Sequence, residues 1–437
     1  NMKDGTTLSS YTYSYYLDGN QASKTDNTGK VTAYKYDGLG RLTSEAPTGE
    51  PAISYTYDDS GNRKTMTAAG KSVTTYAYDL SNRLQTETKD ENSVLKTTKY
   101  TYDNNGNTIY KSTETISPSV QGQSTGVDLS TPGAAKDNTD ITINEYDGFN
   151  QLIKTSTGDI TAEYAYDGNG LRTSKNINGT VTNHIWDGSQ IILETNGAGE
   201  VTNKYVRGIN LIYSEDGTGA NGRFFLYNGH GDVVQLTDAS GSSVKSYDYD
   251  AFGNEKKPDA NDTNVFRYCG EYFDKETGTI YLRARYYDPM IGRFVTEDSY
   301  WGKDSDLLSL NLYTYCYSDP INRFDPSGHV TFKIGNPTAP VQDFDEDFKY
   351  DPNVKATWKD HLSWAKWEVM LAGAQIIKNM PDAVSAYQHY KDATGTTMNI
   401  DYEKAYKQDS VIKASIDSLF SIAMKQAVSE KIRGEYK

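Results

Sequence analysis

Side chains that could act as catalytic acids and bases occur near the C-terminal end of the sequence. They are His361, Asp382, His389, Asp392, Asp401 and Glu403. Imidazole and carboxylate groups transfer protons efficiently only where the fold brings them to one reacting bond. The sequence after residue 328 contains no H-E-x-x-H zinc motif, no glycine-rich phosphate loop and no cysteine. These side chains are therefore interpreted as structural or solvated, and any enzymatic activity of residues 353–437 stays unassigned.

The elements that carry these side chains are predicted to be helices. Apolar residues recur there at helical spacing and define one face of a first helix. They are Trp358, Leu362, Ala365, Val369, Ala372 and Ile376. We expect an α-helical region over residues 353–437, after a loop-like linker at residues 329–352. Trp358, Trp364 and Trp367 form an aromatic stripe, which is interpreted as a surface that packs against the preceding part of the chain.

Charge and composition exclude several functional classes. The chain of 437 residues carries a formal net charge of −15, which argues against nucleic acid or an anionic membrane as a partner of the whole chain. Two cysteines cannot build a disulfide framework. No apolar run approaches the roughly 20 residues that a membrane-spanning helix needs. Because the sequence begins in the middle of a pattern and without a signal peptide, we expect it to be a fragment of a longer protein.

The preceding part of the chain is organised by a repeat of about 20 residues. Its mark is Tyr-Asp or a close equivalent, followed by Gly or Asn, as in YDGLGRL, YDDSGNR and YDGNGLR. The repeated aspartates are Asp18, Asp37, Asp58, Asp79, Asp103, Asp147, Asp167, Asp187 and Asp250. A segment rich in Ser, Thr, Gly and Pro, at about 112–140, interrupts the period.

Each period predicts one β-hairpin. Alternating β-branched and aromatic residues are typical of strands, and Asp-Gly and Asn-Gly pairs are typical of tight turns. A single hairpin is barely stable, so neighbouring hairpins must pair edge to edge. We expect one curved antiparallel sheet from residue 11 to about 328, in which the repeated tyrosines are equivalent. These structural repeat residues are Tyr36, Asp37, Tyr57, Asp58, Tyr78, Asp79, Tyr102, Asp103, Tyr166 and Asp167.

The hairpin array resembles the YD-repeat, or RHS, proteins. The more specific resemblance follows Phe266, where the chain reads FRYCGEYFDKETGTIYLRARYYDPMIGRF and later LNLYTYCYSDPINRFDPSGH. This block is similar to the RHS repeat-associated core. The resemblance implies that residues 1–265 are a YD-repeat wall in a spiral of hairpins, that residues 266–328 are the core which seals one end, and that a variable cargo region follows.

The resemblance also implies self-cleavage just after the closing D-P-x-G motif, by a pair of aspartates. Asp298 and Asp325 fall on the family positions, and two carboxylates held within about 5 Å could share a proton. Arg293 is the expected cation beside one of them, and the bond after His329 is the candidate cleavage site. His329 replaces the usual Leu, and Ser299 replaces the usual Pro after Asp298. These departures favour an intact junction with an inactive or very slow protease.

A purely structural role for the same aspartates stays open, because the Asp-Pro pairs at residues 288, 319 and 325 also form turns. For the whole chain, the resemblance implies the C-terminal part of a bacterial toxin-delivery protein, secreted or attached to the cell surface. Such a shell encapsulates its own C-terminal region, used in bacterial competition or against a host, and a cognate immunity protein is an expected partner. The alternative is a glycan-binding adhesin, although the repeat part has only Trp186 and Trp301 to stack on sugars. No cofactor and no metal site are predicted.

Overall fold

The computed structural model describes residues 1–3, 5–116, 139–303 and 306–334. The predicted linker beyond residue 334, the predicted helical region at 353–437 with its tryptophan stripe, and most of the interruption at 112–140 lie outside the described residues. The chain divides into two compact units, of which the first comprises Asn1–Ile185 and Leu193–Asn336. The residues described below belong to the first unit, except Trp186–Ile192, which belong to the second.

Most of the described chain is antiparallel β-structure. Two short strands form an N-terminal hairpin, β1 (Met2–Lys3) and β2 (Thr6–Thr7). The strands of the main sheet are β3 (Tyr11–Tyr15), β4 (Gln21–Asp26), β5 (Val31–Tyr36), β6 (Leu42–Pro47), β7 (Ile53–Tyr57), β8 (Arg63–Ala68), β9 (Ser72–Tyr78), β10 (Leu84–Glu91), β11 (Val94–Tyr102), β12 (Thr108–Ile116), β13 (Thr139–Tyr146), β14 (Leu152–Thr157), β15 (Ile160–Tyr166), β16 (Arg172–Ile177), β17 (Thr180–Asp187), β18 (Gln190–Asn196), β19 (Val201–Arg207), β20 (Leu211–Asp216), β21 (Arg223–Tyr227), β22 (Val233–Thr237) and β23 (Ser243–Ser246).

Strands β3 to β23 follow one another in the sheet in chain order, and β23 lies beside β3, so that the order closes into a barrel. The predicted antiparallel sheet of consecutive hairpins is confirmed. It ends at Ser246, however, and does not continue to residue 328 as expected. In the segment after Ser246, the Asp-Pro pairs at residues 288 and 325 limit the length of the strands before them, because proline cannot donate to a strand ladder.

The segment after the main sheet forms smaller pieces of structure. Its strands are β24 (Tyr272–Asp274), β25 (Thr279–Leu282), β26 (Arg285–Asp288), β27 (Arg293–Phe294), β28 (Arg323–Phe324) and β29 (Phe332–Lys333). Strands β24 to β27 form a separate four-stranded sheet, and β28 pairs with β29. The described part of this segment also contains 3-10 turns at Tyr268–Gly270, Leu307–Leu310 and Cys316–Ser318. The described residues contain no α-helix.

Most of the repeated aspartates shape the turn that follows them. The Oδ1 atom of Asp167 accepts hydrogen bonds from the backbone N–H groups of Asn169 and Leu171, both at 2.9 Å. This side chain therefore satisfies the turn's free donors while Gly170 takes a positive φ of 81°. The same pair of bonds is made by Asp37, Asp79, Asp103, Asp147 and Asp250.

Each repeated tyrosine ties its hairpin to the preceding one. The hydroxyl of Tyr57 donates to the carbonyl oxygen of Leu42 at 2.7 Å, and a one-residue register shift precedes Tyr57 in the pairing of β7 with β8. Equivalent bonds to a carbonyl one hairpin earlier are made by Tyr36, Tyr78, Tyr102, Tyr166, Tyr227 and Tyr249. The tyrosine two residues before Tyr57, Tyr55, is almost fully buried. The repeat thus supplies one buried ring and one tethered ring per hairpin.

Buried charges join the core segment to the wall. Where other hairpins bury a leucine after the turn, β16 begins with Arg172. Its guanidinium makes a two-pronged pair with the Asp274 carboxylate at 2.5 and 3.0 Å, and Lys175 Nζ lies 3.0 Å from the same carboxylate. Arg172 and Asp274 have no exposed side-chain surface. Removing one partner of such a pair typically costs about 3–5 kcal/mol, so this contact fixes the core on the wall.

Candidate functional site

The closing D-P-S-G motif is held by the two-residue turn between β25 and β26. Within this turn, Arg283 Nη1 donates to the carbonyl of Pro326 at 2.8 Å and Ala284 N donates to the carbonyl of Ser327 at 3.2 Å. The Nε atom of Arg285, at the start of β26, donates to the carbonyl of Gly328. Three successive carbonyls are therefore fixed by three successive residues of the YLRARYYDP block. We call residues 283–285 the clamp.

Gly328 is the residue that the clamp requires. Its φ is 75°, and a Cβ atom there would lie 2.7 Å from the carbonyl oxygen of Leu282 and 2.8 Å from the amide nitrogen of Arg285. Any side chain would collide with the backbone, so glycine alone allows this close approach. The clamp and Gly328 together fix the chain just before the candidate cleavage site.

Asp325 lies beneath this segment and is buried. Its Oδ1 atom accepts hydrogen bonds from the amides of Ser327 and Gly328, at 3.0 and 2.8 Å, and from the Ser327 hydroxyl at 3.2 Å. Burial raises the pKa of Asp325, although the charge of Arg285 and these donors oppose the rise. A carboxyl group in this environment keeps its proton to a higher pH than an ordinary aspartate does.

Asp298 has the opposite electrostatic environment. Its Oδ2 atom lies 2.6 Å from Arg285 Nη2, and its Oδ1 atom accepts a hydrogen bond from His329 Nδ1 at 3.2 Å. Burial would raise the pKa of Asp298, but the bond from His329 and the charge of Arg285 outweigh it and hold this pKa below its ordinary value. The two carboxyl groups therefore differ in pKa: the pKa of Asp298 is lowered and that of Asp325 is raised, so Asp298 is the stronger acid.

Arg293 does not take the position expected for it. Its guanidinium donates to Asn62 Oδ1 at 2.8 Å and to the Asn82 carbonyl at 2.5 Å, and it lies over the ring of Tyr78. Arg285 is the cation beside Asp298. The physical reason is strand geometry, because the start of β26 faces the closing motif while β27 places Arg293 against the turns of the wall.

A hydroxyl connects Asp325 to the chain after the clamp. Ser327 Oγ donates to Asp325 Oδ1 at 3.2 Å and accepts hydrogen bonds from the amides of His329 and Val330, at 3.2 and 3.0 Å. The nitrogen of Val330 is the leaving atom if the bond after His329 is cut. Asp325, the Ser327 hydroxyl and this nitrogen thus form a hydrogen-bonded series.

A cavity of about 640 Å³ opens beside these groups. Its walls include Asp298, Arg285, Ser327 and His329. This volume is large enough to hold water beside His329. Two carboxyl groups that differ in pKa, and a cavity that can hold water next to a clamped segment, are the parts that acid–base hydrolysis of an amide requires.

The remaining predicted residues have structural positions or lie outside the description. The repeated Tyr and Asp residues make the tethers and turns given above. His361, His389 and the acidic residues beyond residue 334 lie outside the described residues. The sequence analysis missed Arg283, Arg285 and Ser327, although all three belong to the quoted core motifs. Among the described residues, no helix is long and apolar enough to cross a membrane.

Comparison with known proteins agrees with the hairpin architecture. The family model described as "Teneurin YD-shell" matches residues 10–321. The tRNA3(Ser)-specific nuclease WapA of Bacillus spizizenii is 33% identical over 270 residues, which cover 57% of this chain and 11% of that protein. Toxin protein Tse5 of Pseudomonas aeruginosa is 32% identical over 114 residues, or 24% of this chain and 8% of that protein. The chain spans about a tenth of the length of these relatives.

A solved structure also matches. The crystal structure of TcdB2-TccC3-Cdc42 is 17% identical, covers 73% of this chain and 19% of that chain, and has a TM-score of 0.38.

Proposed function

The chain belongs to the YD-shell family, and on that premise we propose that it is the C-terminal part of a bacterial toxin-delivery protein whose β-wall encloses a C-terminal cargo. The cargo is the region after the core, and a cognate immunity protein in the producing cell is its expected partner. Secretion or display at the cell surface follows from this role. Two relatives, one named a nuclease and the other a toxin, support this class of cargo.

One observation carries the proposal. The main sheet closes on itself through β3 and β23, and the core is fastened to it by the buried pair of Arg172 and Asp274. A closed sheet has no free edge to pair with other chains, and a wall sealed by a core excludes other proteins by steric hindrance. The role is therefore structural, and no specific observation favours the adhesin alternative.

Growth experiments test the encapsulation proposal. Residues 330–437 and the full chain are expressed separately in the cytoplasm of a bacterium that lacks an immunity protein. The proposal predicts that the segment alone stops growth and that the full chain is tolerated better. Normal growth with the segment, together with binding of the full chain to a glycan array, would replace this proposal by the adhesin function.

At the core junction, the proposal includes slow hydrolysis of the bond between His329 and Val330. The Asp298 carboxylate takes a proton from a cavity water, whose oxygen bonds to the His329 carbonyl carbon. The bond from that carbon to Val330 N breaks, and the Ser327 hydroxyl gives its proton to this nitrogen while Asp325 reprotonates the hydroxyl. The products are a chain that ends in the carboxylate of His329 and one that begins with the amine of Val330.

His329 restrains this reaction in the proposed mechanism. Its Nδ1 atom and the amide of Tyr300 both donate to Asp298 Oδ1, and Arg285 donates to Oδ2. A carboxylate that accepts this many bonds is a weak base, because proton uptake would break them. Leucine, the usual family residue at position 329, has no such donor. These bonds are a physical reason to expect the inactive or very slow protease that the sequence favours.

A further inference from the structure

A cluster of three potential metal ligands lies in the first unit, away from the groups used above. His230 Nδ1 is 2.8 Å from Asp232 Oδ1 and 3.7 Å from Cys269 Sγ. The three ligand atoms all lie within 4.8 Å of one another. Across the described ranges, no other group of three His, Cys, Asp or Glu side chains meets this criterion. We propose that His230, Asp232 and Cys269 bind a zinc ion.

The turn that carries His230 differs from most turns of the repeat in where its carboxylate lies. In most turns an aspartate at the first position accepts the two backbone bonds, but here Asn228 Oδ1 accepts them from His230 N and Asp232 N, at 2.9 and 3.1 Å. The negatively charged residue of this turn is therefore at its last position, Asp232, instead of at its first, and its carboxylate faces His230. The exposed turn from Asn196 to Glu200 has the same exchange but no thiol or imidazole, so it provides a natural control.

Outer hydrogen bonds orient the ligands. His230 Nε2 lies 3.1 Å from the carbonyl of Arg323, which can only accept, so Nε2 carries a hydrogen. Nδ1 is therefore the atom left to bind zinc, and the ion would replace the proton that Nδ1 shares with Asp232 Oδ1. Asp232 Oδ2 accepts from Asn228 Nδ2 at 2.7 Å, and the amide of Cys269 donates to Asp232 Oδ1 at 3.1 Å. Metal-binding imidazoles and carboxylates are generally held in this way.

The backbone holds the thiol at the cluster. Cys269 has φ 52° and ψ 16°, a left-handed conformation that costs a residue with a side chain roughly 1–2 kcal/mol. Glycine would avoid this cost, but glycine would remove the sulfur. The strained backbone therefore fits a role for the side chain.

The geometry excludes a nucleophilic triad and fits zinc. In a triad the imidazole binds the carboxylate with one nitrogen and the nucleophile with the other, whereas here Asp232 and Cys269 both face Nδ1. Ligand atoms of a tetrahedral zinc ion lie about 3.3–3.6 Å apart, given bonds of about 2.0–2.3 Å. The His230–Cys269 separation of 3.7 Å is within about 0.1 Å of this range, and the His230–Asp232 separation of 2.8 Å must open by about half an ångström.

The fourth position is accessible to solvent. His230 and Asp232 line a cavity of about 200 Å³, which can admit the ion and supply a water ligand. Nitrogen, oxygen and thiolate sulfur together are a donor set that zinc accepts readily. The ion would join the turn before β22 to the turn at Tyr268–Gly270, and so would join the wall to the core.

The test uses the full chain, stripped with a chelator and kept reduced. Titration with Zn²⁺ alone should give one ion per chain, and Co²⁺ should give a thiolate charge-transfer band. Cys269→Ser and His230→Gln should each weaken zinc binding by at least about 100-fold, because loss of a group that only orients a ligand already costs about 10–100-fold. Cys316→Ser is the matched control, because Cys316 is buried and has the same φ of 52° but lies outside the cluster. This variant and Glu200→Gln should bind zinc like wild type.

Three results would overturn the proposal. They are the absence of zinc binding by wild type, a cobalt spectrum without the thiolate band, and equal zinc affinity in wild type and Cys269→Ser. The first would show that His230 and Asp232 form only an ion pair. The cobalt spectrum needs no variant, so it decides the question even if Cys269→Ser does not fold. Zinc should also raise the melting temperature of wild type and Cys316→Ser, but not that of Cys269→Ser.

Discussion

Asp298 Oδ1 accepts a hydrogen bond from His329 Nδ1 at 3.2 Å, directly at the junction between the core and the region that follows. The Asp298 carboxylate, the proposed base, is thus hydrogen-bonded to His329, whose peptide bond it would help to hydrolyse. This contact explains why a site with divergent acid and base groups should react slowly. A single substitution at position 329 should therefore change the rate at which the junction is cleaved.

Ser327 is expected to pass the proton from Asp325 to the leaving nitrogen. In a His329→Leu background, Ser327→Ala should slow formation of the 1–329 fragment by about 10²–10⁴-fold, the usual contribution of a positioned proton donor. Ser299→Ala is the matched control, because Ser299 lines the same cavity. Time courses by intact mass spectrometry measure both rates. Equal rates for the two variants would remove Ser327 from the mechanism.

Cleavage should have a bell-shaped pH dependence. Asp298 must be ionised, so the rate falls as pH drops through its pKa, which should lie higher in His329→Leu than in wild type because the bond from His329 that lowers it is gone. Asp325 must be protonated, so the rate also falls as pH rises through its raised pKa. The rate of fragment formation by the His329→Leu protein, measured across acidic and neutral pH, checks this. A rate that keeps rising into the alkaline range would mean that Asp325 is not the acid.

The turn aspartates should act through their oxygen atoms and not through charge. Asp167→Ala leaves the amides of Asn169 and Leu171 without their partner and should lower the free energy of unfolding by about 1 kcal/mol. Asp167→Asn should be close to neutral, because Asn228 makes the same two bonds in its own turn. Chemical denaturation compares the three proteins. A similar loss in both variants would show that the charge matters.

Asp319 should make the protein less stable as pH rises. Burial raises its pKa from 3.8 to about 7, so between these values the folded protein holds a proton that the unfolded chain has lost. The free energy of unfolding therefore decreases as pH rises through this window, by up to about 4 kcal/mol from this group. The unfolding free energy of Asp319→Asn should not show this decrease. Asp90→Asn changes an exposed residue, and its unfolding free energy should decrease with pH as that of wild type does.

Denaturation at pH 5 and pH 8 tests the Asp319 prediction. The quantity to compare is the difference in unfolding free energy between wild type and Asp319→Asn at each pH. The account predicts that the variant gains relative stability at pH 8. The same difference at both values would mean that Asp319 is ionised in the folded protein throughout.

The hairpins and turns of the repeat could be predicted from the sequence, because they depend on residues close together in the chain. Tyr57 and Asp58 recur with their neighbours at a fixed spacing, and turn chemistry follows from that spacing alone. Arg285 could not be assigned in this way, because its contacts with Gly328 and Leu312 cross 43 and 27 residues of chain. Arg293 was expected beside a carboxylate because it belongs to the G-R-F end of the core motif, but β27 places it against Asn62 and Asn82. The His230 cluster was missed because Cys269 is 39 residues away.

The intact mass of three purified proteins tests the central claim most directly. After prolonged incubation, wild type should remain largely intact, and His329→Leu should yield a fragment that ends at residue 329. His329→Leu combined with Asp298→Asn should stay intact, because the base is gone. A His329→Leu protein that stays whole, or a fragment that persists in the double variant, would contradict the account of a self-cleavage site restrained by His329.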